Sequence, residues 1–594
     1  MNKKLKKGIS AVLICAMLAT TTATALNVTA YNETTVATAT SKSYTIAKKS
    51  VTMYNGSADA KSKADLYFVN GSETPYMDVS TLFSLLKNNY NNTLLLPEYD
   101  VNITKNGDKI TVTRETGYKC VIDFAEDTIF FDDYNEFNKR AADRALIDLM
   151  NIPDKDEGKP FLLKRHSDRF NERYGDSVTL DLGSYGIDLV RKGNTYLMPI
   201  QTFSDIFGRE GAFFLIYTGK KLFLAYNTSA FIDNSTNLTD YGKLYYKSAG
   251  ITKLSKDYAK YNYNELCFAL DHFYGLKSIH NIESFNELFH STGLDTLFLS
   301  GDPKKIDTAI YILITRYIDD GHTSFKSSGY ASGSDYSTKL MKNFGQGYQM
   351  ENLVGDYKKV LASRAKFYPD GVPGYEEVGD TAFITFDGFS LTRTDFYTNG
   401  TTNDASDTIN LMSYSVQQIL RKDSPVKNVV LDLSANLGGA LDTAIYTVAA
   451  ILGKAAISVQ DSMTGALVTA EYVADTNLDR KFNSKDYLAG KGIKLFCLES
   501  GVSFSCGNLV PNMLKRSSDV AVIGQTSGGG SCTVGYLCTA NGTMFNISST
   551  QRMSFMKNGS FYDIDLGAAP DYTICDLDNF ADRAKIVEFI HGLI

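Results

Sequence analysis

Asn428–Leu452 reads "NVVLDLSANLGGALDTAIYTVAAIL": a continuous apolar strand, a polar corner and an apolar helix. The corner is Asn436-Leu437-Gly438-Gly439. Paired glycines let a backbone approach a ligand closely, with N–H groups left to donate. Donors of this kind near a helix N-terminus can stabilise a developing oxyanion. The same residues also suit an ordinary strand-to-helix turn, so the flanking sequence has to decide. It continues the alternation: "TAFITFDGF" from Thr381, "TINLMSYSVQQILRK" from Thr408, "IKLFCLES" from Ile493, "CGNLVPNMLKR" from Cys506 and "VAVIGQ" from Val520. Alternating strands and helices predict an α/β domain with parallel pairings.

Upstream the pattern changes twice. Residues 231–325 carry helical periodicity in "YNELCFALDHFYGL", "IESFNELFHSTGL" and "KKIDTAIYILITRYIDD", a helical bundle that ends in "DDGHTSF". Residues 44–230 read as short strands, turns and two helices. "PYMDVSTLFSLL" and "YLMPIQTFSDIF" look alike, each an extended start followed by a Ser or Thr helix opener, which suggests a duplicated, stalk-like β-plus-helix unit. Residues 26–43 are threonine-rich and read as a disordered leader. Residues 1–25 have a basic start, an apolar run and a small-residue end, the layout of a secretory signal. No later segment is apolar enough to cross a membrane.

The formal charge is −7, so no basic footprint for nucleic acid is present. Seven cysteines follow the signal, an odd number and too few for a disulfide framework, with Cys532 and Cys538 as a plausible local pair.

Two further stretches can carry chemistry. "SFSCGNLVPNML" from Ser503 places Ser503, Ser505 and Cys506 at a helix entry, where a hydroxyl is either an N-cap or a nucleophile. A serine nucleophile needs a base. Of six histidines, His322 in "DDGHTSF" stands out, in a polar turn flanked by glycine and short hydroxyl residues. The others lie in or beside amphipathic helices, in a basic exposed stretch or in the C-terminal tail.

The ordered set "DDGHTSF", "FITFDGFS", "VVLDLSANLGGALDTA", "SFSCGNL", "VIGQTSGGGS" and "DIDLGAAPD" resembles peptidase family S41, the C-terminal processing and tricorn-core-like serine proteases. The resemblance spans about 245–594. It implies an S41 catalytic core, a crotonase-like ββα superhelix over 326–594, preceded by the helical bundle and the N-terminal α+β region. It puts the nucleophile on Ser505, with Ser503 as the register alternative. His322 becomes the general base, Asp565 or Asp563 its acidic partner, and the amides of Gly438 or Gly439 and of Cys506 the oxyanion donors. The processing branch uses a lysine base whose position here is Gly530, so a Ser–His pair is expected. The implied substrate is an extended polypeptide and no cofactor is required. Residues 326–377 are too few for the PDZ domain that many relatives carry. A catalytically silent surface protein binding peptides or glycans on the same fold is the alternative.

"DTNLDRKFNSKD" places Asp475, Asn477, Asp479, Lys481 (through its carbonyl), Asn483 and Asp486 at the spacing of a calcium loop, although Arg480 stands where glycine is expected. The spacing fits either a structural calcium site or a solvated charged turn.

Overall fold

Strand Asn428–Asp432 is third in a six-stranded sheet, in the order Tyr375–Val378, Thr381–Thr385, Asn428–Asp432, Lys494–Glu499, Val520–Gly524, Tyr572–Thr573. From Thr381–Thr385 onward every pairing is parallel. Val429 and Leu431 pack into a core shared with helices Thr408–Ile419, Leu441–Leu452 and Cys506–Leu514. Val430 points the other way, to Phe383, Phe496, Ile523 and helix Arg583–His591. A strand covered on both faces has to be apolar at successive positions, which is why "VVL" shows no alternation. The computed structural model describes residues 43–593 apart from 94–98, 154, 157, 210–212, 227–230 and 233–236. The expected signal and all of the leader but Ser43 lie outside the described residues.

At the end of that strand, Asp432 is fully buried between two arginines. Arg583 donates to it at 2.8 Å and to Thr385 Oγ1 at 2.8 Å; Arg364 stands 3.6 Å away. Burial alone would push the Asp432 carboxyl up, but Arg583 and Arg364 offset this and hold it below the usual carboxylate range. Its other oxygen accepts from the N–H and hydroxyl of Ser434, so this carboxylate fixes the path of the chain into the glycine corner.

A second, eight-stranded sheet is organised around the long strand Met544–Lys557. Ala455–Asp461, Cys532–Cys538 and Ser324–Ser327 all pair with it antiparallel. The last of these follows directly on His322, so its pairing carries the end of the helical region to the α/β core. Gly275, just past helix Lys256–Phe273, donates its N–H to Ser548 O on the same long strand.

The N-terminal region forms a seven-stranded sheet between Ile46 and Ala225 and a five-stranded antiparallel sheet between Val101 and Asp181. The two look-alike stretches become paired strands, with Met77 opposite Met198, and each runs into a helix. Those helices meet through Phe83 and Phe203, edge to face at 5.1 Å. Asp78, rather than the expected Ser or Thr, caps the first helix by accepting from Ser80 N–H. The region does not stay apart as a stalk over 44–230. Leu163–Arg165 and Asn171–Arg173 join the second sheet against Leu467–Ala474, and the amides of Asn151 and Ile152 donate to Asp442. Tyr44–Ile594 cluster as one compact unit.

Residues 326–377 contain helices Tyr336–Phe344 and Tyr348–Phe367. Cys532 and Cys538 are the two ends of one strand, about 20 Å apart at the usual rise, so they cannot bridge. All seven described cysteines are free. No helix of the described residues is long and apolar enough to cross a membrane.

Removing Arg583 leaves a buried carboxylate with half its compensation. Arg583→Ala is expected to lower stability by about 3–5 kcal/mol, read as a shift of the urea midpoint. Lys585→Ala, on the exposed face of the same helix, is expected to shift it by less than about 0.5 kcal/mol.

Candidate active site

Ser505 lies between the end of strand Lys494–Glu499 and helix Cys506–Leu514 with φ 58° and ψ −121°, a backbone conformation rare for a residue with a side chain. Such strain persists only where the surroundings enforce it, and here they do. Ser505 N–H donates to Gly529 O at 2.9 Å, Phe504 N–H to Asn436 O at 3.0 Å, and Gly528 N–H to Ser503 O at 2.9 Å. The sharp strand-to-helix turn lifts the Ser505 side chain clear of its own helix. Its hydroxyl makes no capping hydrogen bond, although it occupies the N-cap position. A strained serine on such an elbow is a nucleophile geometry.

Ser503 is different. It is fully buried; its hydroxyl donates to Leu433 O at 2.8 Å and accepts from Ser500 N–H at 3.0 Å. It pins the elbow to the core strand and is committed there. Cys506 is buried as well: its thiol donates to Gly439 O, and burial pushes its pKa up to about 12, so no thiolate is available at neutral pH.

The glycine corner packs directly on the elbow. A Cβ on Gly438, at φ 97°, would fall 2.6 Å from Ser505 Cβ and 3.1 Å from Cys506 N, so only glycine fits. Of the two glycines, Gly438 donates its N–H to Asn436 Oδ1 at 2.9 Å. Among the described residues the amides of Gly439 and Cys506 have no acceptor. Asn436, which the sequence places in the corner without a role, organises it. Its carbonyl holds Phe504, its Oδ1 holds Gly438, and its Nδ2 donates to Phe386 O at 3.0 Å.

His322 reaches this place through Phe504. The two rings are 4.8 Å apart between centroids, at 58°. The same phenyl ring fills the space a side chain at Gly530 would need, 2.6 Å from an added Cβ, and it lies against Gly321 too. The position where related enzymes would put a lysine is therefore packed with an aromatic ring. His322 is 9% exposed, and among the described residues its ring makes no hydrogen bond. Burial holds its pKa below the usual imidazole value, against the opposing pull of Asp320 and Asp565.

Asp320 is a second missed residue. Its carboxylate accepts from His322 N–H (3.0 Å), Thr323 N–H (2.7 Å), the Thr323 hydroxyl (2.7 Å), the Ser548 hydroxyl (2.8 Å) and the Tyr274 hydroxyl (2.8 Å). Asp-Gly-His-Thr is an Asx-turn pattern, the one sequence signal that marks it.

The two acidic candidates separate. Asp563 is exposed and paired with Arg552 at 2.5 Å. Asp565 is half-buried and accepts from Ser531 N–H and hydroxyl at 2.8 and 3.0 Å; its backbone carbonyl accepts from Gly530 N–H, which ties it to the glycine loop. Its field reaches His322.

The calcium loop is elsewhere and does not fit the ion. Asp475 accepts from the amides of Asp479 and Arg480 and from the Tyr397 hydroxyl, and Asp486 from the amides of Thr476, Asn477 and Asn483. Asn477 Oδ1 and Asp479 Oδ1 accept from Asp479 N–H and Lys481 N–H, and Asn483 Oδ1 from Lys485 N–H. The oxygens turn inward to satisfy the loop's own backbone. Among the described residues no three His, Cys, Asp or Glu side chains converge on a point that could hold a metal.

The model of peptidase family S41 matches residues 383–574. No curated protein matches the chain. Among solved structures, a candidate peptidase of Parabacteroides merdae shares 14% identity over 56% of this chain and 96% of its own, with a TM-score of 0.40. A lipoprotein of Streptococcus agalactiae shares 14% over 57% and 96%, with a TM-score of 0.33. A photosystem II D1 C-terminal processing protease shares 16% over 33% and 42%, with a TM-score of 0.24. The segment 383–574 carries the glycine corner, the elbow and Asp565, while His322 is supplied from outside it. Through this segment the chain is similar to peptidase family S41.

Proposed function

We propose that the chain is a secreted serine peptidase that hydrolyses extended polypeptides, with Ser505 as nucleophile and His322 as general base. The observation that carries this reading is the strained Ser505 elbow. Its hydroxyl caps nothing, it is packed against a glycine corner, and the neighbouring Phe504 ring lies against the His322 imidazole, which makes no hydrogen bond among the described residues. Secretion is supported by the layout of residues 1–25.

In the proposed reaction His322 takes the proton of Ser505 as the hydroxyl oxygen attacks the scissile carbonyl carbon. The amides of Gly439 and Cys506 hold the tetrahedral oxyanion. The imidazolium then protonates the leaving amine, and water, deprotonated by the same imidazole, releases the acyl group. Asp565 stabilises the imidazolium by its field. Asp320 is a positioning residue: it sets the turn that presents His322.

A fluorophosphonate probe is expected to label the wild-type chain at Ser505 and to leave Ser505→Ala unlabelled. Peptide hydrolysis by that variant should fall by at least about 10^4-fold. A chain that binds peptides but takes no label is a binding protein on this fold, and the peptidase reading is then lost.

Because burial lowers the His322 pKa, the base is neutral at neutral pH. kcat/KM is expected to be flat there and to fall tenfold per pH unit only below about pH 6.5. In His322→Ala that acid limb should vanish along with about 10^2–10^4-fold of the rate. Gly438→Ala, whose methyl would displace Ser505, should lower kcat by about 10^2-fold with a smaller change in KM.

A further inference from the structure

Residues of the N-terminal region and the second core sheet enclose a cleft of ≈ 240 Å³. Its floor is formed by Thr533 and Ser549, whose hydroxyls share a hydrogen bond, with Gln551 and the side-chain-free Gly535 beside them. Arg140 and Arg209 line it, and no acidic side chain does. Among the described residues neither arginine forms a salt bridge. The Arg209 guanidinium is held over the ring of Phe273 at 4.1 Å. Asp205, on the helix that precedes Arg209, is buried, accepts from Gln201 at 2.9 Å and does not line the cleft, although its carboxyl feels the Arg209 charge.

Two arginines that form no salt bridge among the described residues, in a cleft also lined by Thr533 and Ser549, suit a carboxylate by charge and by the fork of their donors. The cleft is also placed for a substrate. Strand Cys532–Cys538 leaves the candidate active site at Ser531, which holds Asp565 by two hydrogen bonds. Thr533 and Gly535 lie two and four residues further on, about 7 and 13 Å at the usual strand rise. Val534 and Tyr536 are exposed on the way.

We propose that this cleft is a carboxylate-recognition subsite for the polypeptide substrate, built partly from the N-terminal region. The carboxylate is either the chain terminus or an acidic side chain a few residues from the cleaved bond. The identity of the ligand rests on the peptidase reading; the anion preference of the cleft does not.

The test uses the full chain carrying Ser505→Ala, so that binding is read without cleavage. Fluorescence anisotropy compares three fluorescein-labelled decapeptides of Ala, Val and Ser: one with a free C-terminal carboxylate, one amidated, and one amidated with a single internal Asp. At least one carboxylate-bearing peptide is expected to bind about 10-fold or more tightly than the uncharged one. Arg140→Ala with Arg209→Ala should abolish the difference, and the paired Lys substitutions should restore part of it. Which peptide is favoured identifies the source of the carboxylate. Equal binding of all three, or a preference that survives the double Ala variant, overturns the proposal. Arg140→Ala alone, at an exposed position, supplies the same comparison if loss of the Arg209–Phe273 stack unfolds the double variant. Charge-dependent binding in a chain that takes no fluorophosphonate label keeps the cleft and removes the peptidase reading.

Discussion

One carboxylate joins the parts of this molecule. Asp320 accepts from the Tyr274 hydroxyl at the end of a bundle helix, from the turn that carries His322, and from Ser548 on the long strand of the second sheet. Asp320 is buried, and the oxygens of a buried carboxyl group need such a set of donors around them. Losing one of them would leave a buried oxygen undersatisfied, so the three segments are held in a single arrangement. That arrangement fixes where the imidazole of His322 lies relative to the α/β core.

The elbow is enforced in a similar way. A serine at positive φ costs on the order of 1–3 kcal/mol. The cost is offset by backbone hydrogen bonds to Asn436 and Gly529 and by the tight fit of Gly438 against the Ser505 side chain. Phe504 links the two halves. Its ring occupies the volume at Gly530 and carries His322 on its face. A lysine in the glycine loop and a phenylalanine before the serine would compete for the same space, so the sequence "SFSCG" and the glycine at 530 describe one packing solution.

Much of this was legible in the chain itself, because local patterns carry it. The unbroken apolar run "VVL" marks a strand covered on both faces, and the resemblance to family S41 puts Ser505 rather than Ser503 in the nucleophile's register. What separates those two serines physically, a buried hydroxyl with both its hydrogen bonds made against one with none among the described residues, depends on neighbours from other strands and has no local signature. Helix Tyr336–Phe344 escaped notice because it buries only Leu340, too little for an apolar stripe. The loop at 475–486 left two readings open for a local reason: oxygen-bearing residues at ion-binding intervals are the same residue types that close Asx turns, and here they accept from the loop's own amides. Asp320 and Asn436 lay inside quoted motifs, yet their importance comes from contacts with Tyr274, Ser548 and Phe386, which only folding assembles.

The order of these parts along the chain has a biosynthetic consequence. His322 is translated 183 residues before Ser505, and the strand that receives Ser324–Ser327 begins only at Met544. A ribosome-bound chain that has already made its serine still lacks the edge on which the imidazole-bearing segment docks. The docking of the His322 segment is thereby deferred until almost the whole chain has been made.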